Sequence, residues 1–227
     1  MVDIWQLAKQ KVNEPPKTFG VGTFDAEEEK ENRNKDVDRN KEETFVIVMG
    51  SKNAGKTSLI LRFLDREEAP KPTIALEYTY GRRIRGNNKD IGHLWELGGG
   101  ATLTNLLEVP VSARTLEETV LVLLVDLSAP EELWFTLETL LSASRRRTEK
   151  LLAELKSRHP DAWDRLQNRS KERLGDHEDK ALLNVFAVPL AILGGKYDIF
   201  QDYDSEKKKI ICKTLRFLAH MNGASLQ

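Results

Sequence analysis

One stretch of the chain has residue types and spacing suited to holding a phosphate group. Residues 50–57 read Gly-Ser-Lys-Asn-Ala-Gly-Lys-Thr and fill every fixed position of the pattern G-x-x-x-x-G-K-[ST]. In such a loop the backbone approaches the anion closely, and the amides of the following helix face it. We therefore expect Lys56 to reach the terminal phosphates of a nucleotide and the Thr57 hydroxyl to ligate Mg²⁺.

The segments on either side of this loop agree with that interpretation. Residues 44–49 form a short apolar, β-branched run, which predicts a buried strand. Residues 58–64 have helical spacing and strong helix formers. One alternative is a chance glycine turn. A second is a loop inherited with the fold, in a protein whose main work is not nucleotide turnover.

Composition limits the classes of partner. The chain has 227 residues, which is long enough for one substantial core. Its net charge is −1, so no overall electrostatic field favours nucleic acid or a membrane. Its single cysteine, Cys212, forms no internal disulfide and fits a reducing compartment. Because no apolar run is long enough for a bilayer and the N-terminus lacks an apolar signal core, we expect neither membrane insertion nor secretion.

The first 43 residues are predicted to lie apart from the main domain. Residues 4–12 have the spacing of a short amphipathic helix that carries Trp5 and Leu7. So short a helix is marginal alone, so we expect it to dock on its own domain or on a partner. Residues 25–43 are almost wholly charged or amide, which predicts a disordered linker, with a solvated helix as the alternative.

Residues 44–227 are predicted to form one α/β domain. Further strands are predicted at residues 74–85, 90–97, 119–125 and 187–193, with a last strand beginning at 224. Helices are predicted from 128 to a break at His159-Pro160, at 161–174 and at 205–221, the last with an apolar face of Ile210, Ile211, Thr214, Leu215, Phe217 and Leu218. The order predicts a mostly parallel central sheet with one antiparallel edge hairpin and helices on both faces.

These features resemble the Ras-like P-loop GTPase fold, whose other motifs can be sought residue by residue. Thr73 falls where the first switch threonine would lie and sense a γ-phosphate through Mg²⁺; the alternative is an ordinary solvent-facing threonine. In the second switch Glu96 replaces the Asp of Asp-x-x-Gly, which puts the metal geometry in doubt, while Gly99 retains the amide. Gly100 stands where active members carry a water-orienting Gln, so we expect very slow hydrolysis.

The guanine-reading motif Asn-Lys-x-Asp is also altered. Residues 195–198 read Gly-Lys-Tyr-Asp, so Gly195 replaces the Asn. The resemblance implies that Asp198 accepts hydrogen bonds from the guanine and that Lys196 lies against its ring. Loss of the Asn weakens the predicted specificity for guanine.

The predicted site thus combines a complete phosphate-binding loop with altered residues at the positions that active members use for hydrolysis. We expect no catalytic residue, and GTP or GDP with Mg²⁺, or an empty site. The predicted metal ligands are Thr57 and Thr73. The predicted nucleotide-binding residues are Gly50, Asn53, Ala54, Gly55, Lys56, Thr57, Ser58, Thr73, Gly99, Lys196 and Asp198.

Several longer runs carry a closer resemblance. They are residues 50–57, 70–73, 75–83, 95–100, 196–202 and 211–217. The most specific are Leu-Glu-Tyr-Thr-Tyr-Gly-Arg-Arg, at 76–83, and Trp-Glu-Leu-Gly-Gly-Gly, at 95–100. On these runs the chain resembles the dynein light intermediate chains, in particular those of cytoplasmic dynein 2, over most of its length from Thr44 onward.

The resemblance implies a non-catalytic motor subunit rather than an enzyme. Such a subunit binds the tail of the dynein 2 heavy chain, with other dynein 2 subunits, and stabilises the motor for retrograde intraflagellar transport and cilium assembly. The implied locations are the cytoplasm, the cilium and the basal body or centrosome, on the cytoskeleton. Because family members extend further, we expect a fragment or a short isoform. The alternative function is a working small GTPase switch in ciliary or vesicle trafficking.

Overall fold

The computed structural model describes residues 41–85 and 88–227. The predicted helix around Trp5, most of the predicted linker and part of the predicted turn at 86–89 lie outside these residues. The strands are β1 (Lys41–Gly50), β2 (Leu76–Arg85), β3 (Asn88–Leu97), β4 (Thr119–Asp126), β5 (Leu190–Gly195) and β6 (Ser225–Leu226). The α-helices are α1 (Lys56–Phe63), α2 (Pro130–Arg158), α3 (Pro160–Leu174), α4 (Tyr197–Phe200) and α5 (Ser205–Asn222). Short 3₁₀ turns span Thr104–Glu108, Leu116–Glu118 and Glu178–Ala181.

The six strands form one sheet in the order β2-β3-β1-β4-β5-β6. All neighbouring pairs are parallel except β2 and β3, which form an antiparallel hairpin at the edge. Every residue of β4 is buried, as its continuous apolar sequence predicts for a strand covered on both faces. The predicted fold class is therefore confirmed.

Alternating side chains of the central strands pack on different helices. Ile47 and Leu121 point to one face, where the buried sides of α2, α3 and α5 form the larger core. Val48 and Val122 point to the other face and pack with Ile60 of α1. In the part of the chain that the structure describes, no helix combines the length and the apolar content needed to cross a bilayer.

Two arginines hold the connection between α3 and β5 by hydrogen bonds. Arg173 donates to the carbonyl oxygens of Phe186 and Ala187 at 2.6 and 2.8 Å, and burial lowers its pKa to about 10. Arg145 of α2 donates to the side-chain oxygens of Asn184 and Asn222 at 2.7 and 2.8 Å. This second set of bonds joins the connection to the end of α5.

Two predicted strand boundaries and one predicted apolar face are wrong, each for a tertiary reason. β1 begins at Lys41, so residues 41–43 belong to the sheet, where they pair with β3, and not to the linker. β5 begins at Leu190 rather than at 187, because the carbonyl groups before it accept from Arg173 instead of from a strand. On α5 the apolar face is narrower than predicted, since Ile210 and Phe217 are 63% and 59% exposed.

Two leucine-to-alanine variants are expected to differ strongly in their free energy of unfolding. Leu140 of α2 is fully buried, whereas Leu182 is 72% exposed. Leu140→Ala is expected to lower the free energy of unfolding by about 2–5 kcal/mol, because it leaves a cavity. Leu182→Ala, the matched control, is expected to change it by no more than about 0.5 kcal/mol. Denaturant melts compare the two; equal losses would contradict the assigned core.

A candidate phosphate-binding site

The predicted phosphate loop joins β1 to α1 at the carboxyl end of the sheet, where it packs directly on β4. The Ser51 amide donates to the Leu124 carbonyl oxygen at 3.0 Å, and the Ser51 hydroxyl accepts from the Asp126 amide at 3.3 Å. A Cβ atom at Gly50 would lie 1.8 Å from the Leu124 oxygen, and the φ of Gly50 is 150°. Only glycine fits this position, so the first glycine of the motif is required by packing as well as by ligand approach.

The middle of the loop turns the backbone so that α1 begins with uncapped amides. Asn53 and Gly55 have φ values of 60° and 95°, and Ala54 between them is buried. Gly55 is the N-cap of α1, and no side chain caps this helix. The first-turn amides of an α-helix have no acceptor within it, so those of Lys56, Thr57 and Ser58 can bind an anion.

Lys56 is buried beneath the loop and held by it. Its Nζ donates to the carbonyl oxygens of Ser51 and Gly50 at 2.9 and 3.4 Å. Burial lowers the pKa of this ammonium, and the nearby charge of Glu96 raises it in part. An ammonium has three donors, so this geometry is compatible with a further bond to a phosphate oxygen.

Both predicted metal ligands lie near Glu96, a buried carboxylate at the end of β3. The Thr57 hydroxyl donates to Glu96 Oε1 at 2.9 Å, and the Thr73 hydroxyl donates to Glu77 Oε2 at 3.0 Å. Burial raises the pKa of Glu96, and the hydrogen bond from Thr57 and the charge of Lys56 oppose this rise only in part. Because Mg²⁺ prefers oxygen ligands, this donor set fits the ion. Thr73, which is half-buried, is therefore not simply solvent-facing.

The three glycines after β3 bring the two predicted switch segments together. A Cβ atom at Gly98 would lie 2.4 Å from the Thr73 carbonyl oxygen, and the Gly98 amide donates to the Ala75 oxygen at 2.7 Å. Gly99 and Gly100 have φ values of 72° and 62°. Any other residue at Gly100 would be strained, so both sequence and backbone oppose a water-orienting side chain there.

The base-reading motif lies against the phosphate loop. A Cβ atom at Gly195 would lie 2.6 Å from the Ala54 carbonyl oxygen, so an Asn there would force the two loops apart. Lys196 Nζ donates to Asp126 Oδ2 at 2.6 Å, and Asp198 is exposed in the first turn of α4. The lysine predicted to lie against a guanine ring is thus paired with a protein carboxylate.

Asp126 is a residue of this region that the sequence reasoning missed. Its Oδ1 accepts from the Ser128 amide and hydroxyl at 2.9 and 2.6 Å. Burial alone raises the pKa of Asp126, but the bonds from Lys196 and Ser128 outweigh burial and lower it. The sequence signal that could have identified Asp126 is its position as an acidic residue at the carboxyl end of the buried strand β4.

A small cavity adjoins the metal-type residues. It extends from Thr57 and Glu96 to Leu64 and Ala69, and its volume is about 100 Å³. Typical ligand pockets have roughly 300–1,000 Å³, so this cavity is too small to be a nucleotide cleft. The cavity therefore lies beside the predicted metal ligands and is not itself a cleft for a whole nucleotide.

Fold and site together define a class: a P-loop, GTPase-like domain with an intact phosphate loop and glycine at the catalytic and base-bracing positions. The family model for the dynein light intermediate chain matches residues 31–179. The chain belongs to the dynein light intermediate chain family.

Relatives from both cytoplasmic dyneins match to different degrees. The chain is 52% identical to cytoplasmic dynein 2 light intermediate chain 1 of Homo sapiens over 187 residues, which are 81% of this chain and 53% of that protein. With the Danio rerio protein the identity is 52% over 183 residues, 80% and 51% of the two chains. With cytoplasmic dynein 1 light intermediate chain 1 of Homo sapiens it is 32% over 109 residues, 47% and 20%. The chain spans about half the length of the dynein 2 relatives that it matches.

A solved structure agrees with the fold. The crystal structure of the dynein light intermediate chain's conserved domain matches with a TM-score of 0.52 and 16% sequence identity. The match covers 82% of this chain and 67% of that one. At this identity the likeness concerns the fold alone.

The site predicts that phosphate binding depends on Lys56 and not on its exposed neighbour Lys52. Lys56→Ala is expected to weaken Mg²⁺-GDP binding by roughly 10- to 150-fold, the effect of losing a charge-assisted bond of about 1.5–3 kcal/mol. Thr57→Asn is expected to remove the Mg²⁺ dependence. Lys52→Ala, which deletes the same charge in the same loop, is the control. Calorimetric titration measures all four proteins; equal affinity of the two lysine variants would contradict the assignment.

Proposed function

We propose that this chain is a non-catalytic light intermediate chain subunit of cytoplasmic dynein 2. It binds and stabilises the heavy chain for retrograde intraflagellar transport and cilium assembly. The observation that carries the proposal is the 52% identity with dynein 2 light intermediate chains over about four fifths of this chain, against 32% over about half with the dynein 1 protein. The proposed partners are the dynein 2 heavy-chain tail and other dynein 2 subunits. The proposed locations are the cytoplasm, the cilium and the basal body, on microtubules.

The site supports a subunit that does not turn over nucleotide. Hydrolysis requires a group that orients the attacking water, and Gly100 offers none. Glu96 stands where the fold usually has a shorter carboxylate, and it is already bonded to Thr57. These substitutions affect the catalytic end and leave the phosphate loop unchanged.

We propose GTP or GDP with Mg²⁺ as the ligand of the phosphate loop. Lys56 and the first-turn amides of α1 would hold the phosphates, while Thr57 and Thr73 would ligate the metal. The ion would neutralise phosphate charge beside Glu96. Gly99 would approach the last phosphate through its amide. Asp198 would be the contact to the base, with reduced selectivity because Gly195 cannot brace it.

A working small GTPase switch is the second candidate function. The placement of Thr57 and Thr73 near Glu96 favours it, because a γ-phosphate could order the Thr73 segment through a metal. The glycines at 100 and 195 oppose it. Hydrolysis is the property that separates the two candidates.

Hydrolysis of GTP is expected to be negligible, far below the rate of about one per second of an ordinary enzyme. Gly100→Gln alone is expected not to raise the hydrolysis rate. The backbone φ of 62° at this position strains any residue other than glycine, and Glu96 remains bonded to the predicted metal ligand Thr57. Lys56→Ala, prepared in parallel, reports any contaminating activity. Multiple turnovers at one per second or faster in the wild type, lost in Lys56→Ala, would establish the switch instead.

The heavy-chain contact is proposed to involve the N-terminal segment around Trp5 and Leu7. Aromatic anchors dominate interface energies, and the intervening charged residues would act as a tether that keeps the segment close to the domain. The competing arrangement is that Trp5 packs on this domain itself. The domain offers an aromatic surface for it on β2 and β3, where Tyr78 packs at a tilted angle on Trp95 and remains 45% exposed.

Pull-down with a dynein 2 heavy-chain tail tests this contact and the proposed function together. The wild type is expected to co-purify with the tail. Trp5→Ala with Leu7→Ala is expected to lose binding at an unchanged melting temperature, because truncating an anchor typically costs about 2 kcal/mol or more. Lys9→Ala with Lys11→Ala is the control in the same segment. A lowered melting temperature with binding intact would place Trp5 on its own domain, and no binding by the wild type would contradict the proposed function.

A further inference from the structure

Two histidines and an aspartate meet where the connection between α3 and β5 reaches the end of α5. His177 and Asp179 lie at the start of the 3₁₀ turn after α3, and His220 lies in the last turn of α5. The chain has only four histidines, so half of them are in this cluster. Neither the proposed nucleotide site nor the proposed heavy-chain contact uses these residues.

The side chains are close enough to share one ion. Asp179 Oδ2 lies 3.0 Å from His220 Nε2 and 3.9 Å from His177 Nδ1. The two imidazole rings are 4.9 Å apart between centroids. One ligand atom from each of the three residues lies within 4.8 Å of the other two. Two imidazoles and one carboxylate form a donor set that zinc accepts, with water as the fourth ligand.

The distances can be compared with those of a formed zinc site. Zinc bonds to nitrogen and oxygen are about 2.0–2.2 Å, so ligand atoms of a tetrahedron lie roughly 3.3 Å apart. The Asp179–His220 pair already satisfies this distance. The His177–Asp179 pair must close by about 0.6 Å, and the separation of the two imidazole nitrogens by up to about 1.5 Å. All three side chains are between 40% and 50% exposed, so small rotations are not opposed by packing.

The two segments that carry these ligands are joined by hydrogen bonds a few residues away from them. The Asn184 amide donates to the Met221 carbonyl oxygen at 3.0 Å, and the Phe186 amide donates to the Asn222 oxygen at 3.3 Å. Arg145 bonds to Asn184 and Asn222 and so joins the same two segments. Such support lowers the entropic cost of bringing the three side chains to a metal.

The protonation of His177 also suits a metal. Its Nδ1 accepts a hydrogen bond from the Asp179 amide at 3.1 Å, so this nitrogen carries no proton. An unprotonated imidazole nitrogen is the form that ligates zinc. A metal at this nitrogen would replace the bond from the amide.

We propose that His177, Asp179 and His220 bind one Zn²⁺ ion, which joins the α3–β5 connection to the end of α5. The ion stabilises the folded chain, because the three ligands are brought together only by folding. It has a structural role and takes no part in nucleotide binding. Cys212, the other strong zinc ligand type on α5, is two turns away in the helix and is not a member of the cluster.

Calorimetry and thermal melting of the full chain, freed of any histidine tag, test the proposal with ZnCl₂ as the probe. The wild type is expected to bind one ion per chain and to melt at a higher temperature with zinc than with MgCl₂. His220→Ala and Asp179→Ala are each expected to weaken zinc binding at least tenfold, which is the lower end of the effect of even indirect support residues. His159→Ala removes an exposed histidine outside the cluster and is expected to bind zinc like the wild type.

Melting in the presence of a chelator shows that each variant folds, which keeps the affinities comparable. Zinc binding of equal strength in His159→Ala and His220→Ala would show non-specific binding and overturn the proposal. Failure of the wild type to bind zinc at about 100-fold excess over the chain would overturn it as well. A zinc effect on melting that persists in Asp179→Ala would have the same consequence.

Discussion

Backbone-to-backbone packing at the carboxyl end of the sheet is the contact on which the rest of this domain depends. The phosphate loop lies against β4 at Gly50 and against β5 at Gly195, where an added Cβ would be 1.8 and 2.6 Å from a carbonyl oxygen. At such distances no side chain fits, so both positions require glycine. The loop is therefore part of the packing of the sheet as well as a binding element.

This packing gives one physical account of a mixed site. At the phosphate end, Lys56 and Thr57 also have structural contacts, because Lys56 bonds to the loop carbonyl groups and Thr57 ties the uncapped start of α1 to Glu96 of β3. The base-reading motif has Gly195 in place of the bracing Asn, because the Ala54 carbonyl oxygen lies too close to this position for a side chain. A domain of this kind can retain a nucleotide fold while serving as a rigid subunit, since fold and function are separable.

The sequence predicted the features that depend on local pattern. The strand–loop–helix at 44–64, the buried β4 and the break at His159-Pro160 each have a signal within a few residues, and the structure has all three. The predictions were wrong for the start of β5 and for the width of the apolar face of α5. Arg173 and neighbouring elements determine these two features, and a local sequence pattern does not show them. Pairs such as Lys196 with Asp126, 70 residues apart, have no local signal. The helix around Trp5 stays a prediction.

A rigid subunit differs from a switch in the effect of bound nucleotide on its affinity for a partner. The direct measurement is the affinity of this chain for a dynein 2 heavy-chain tail in GDP, in a non-hydrolysable GTP analogue and without nucleotide. A rigid subunit predicts dissociation constants that agree within about threefold, because the two ligand states share one conformation. A difference of about tenfold or more, equivalent to 1.4 kcal/mol of coupling, would contradict the account and establish a nucleotide-controlled switch.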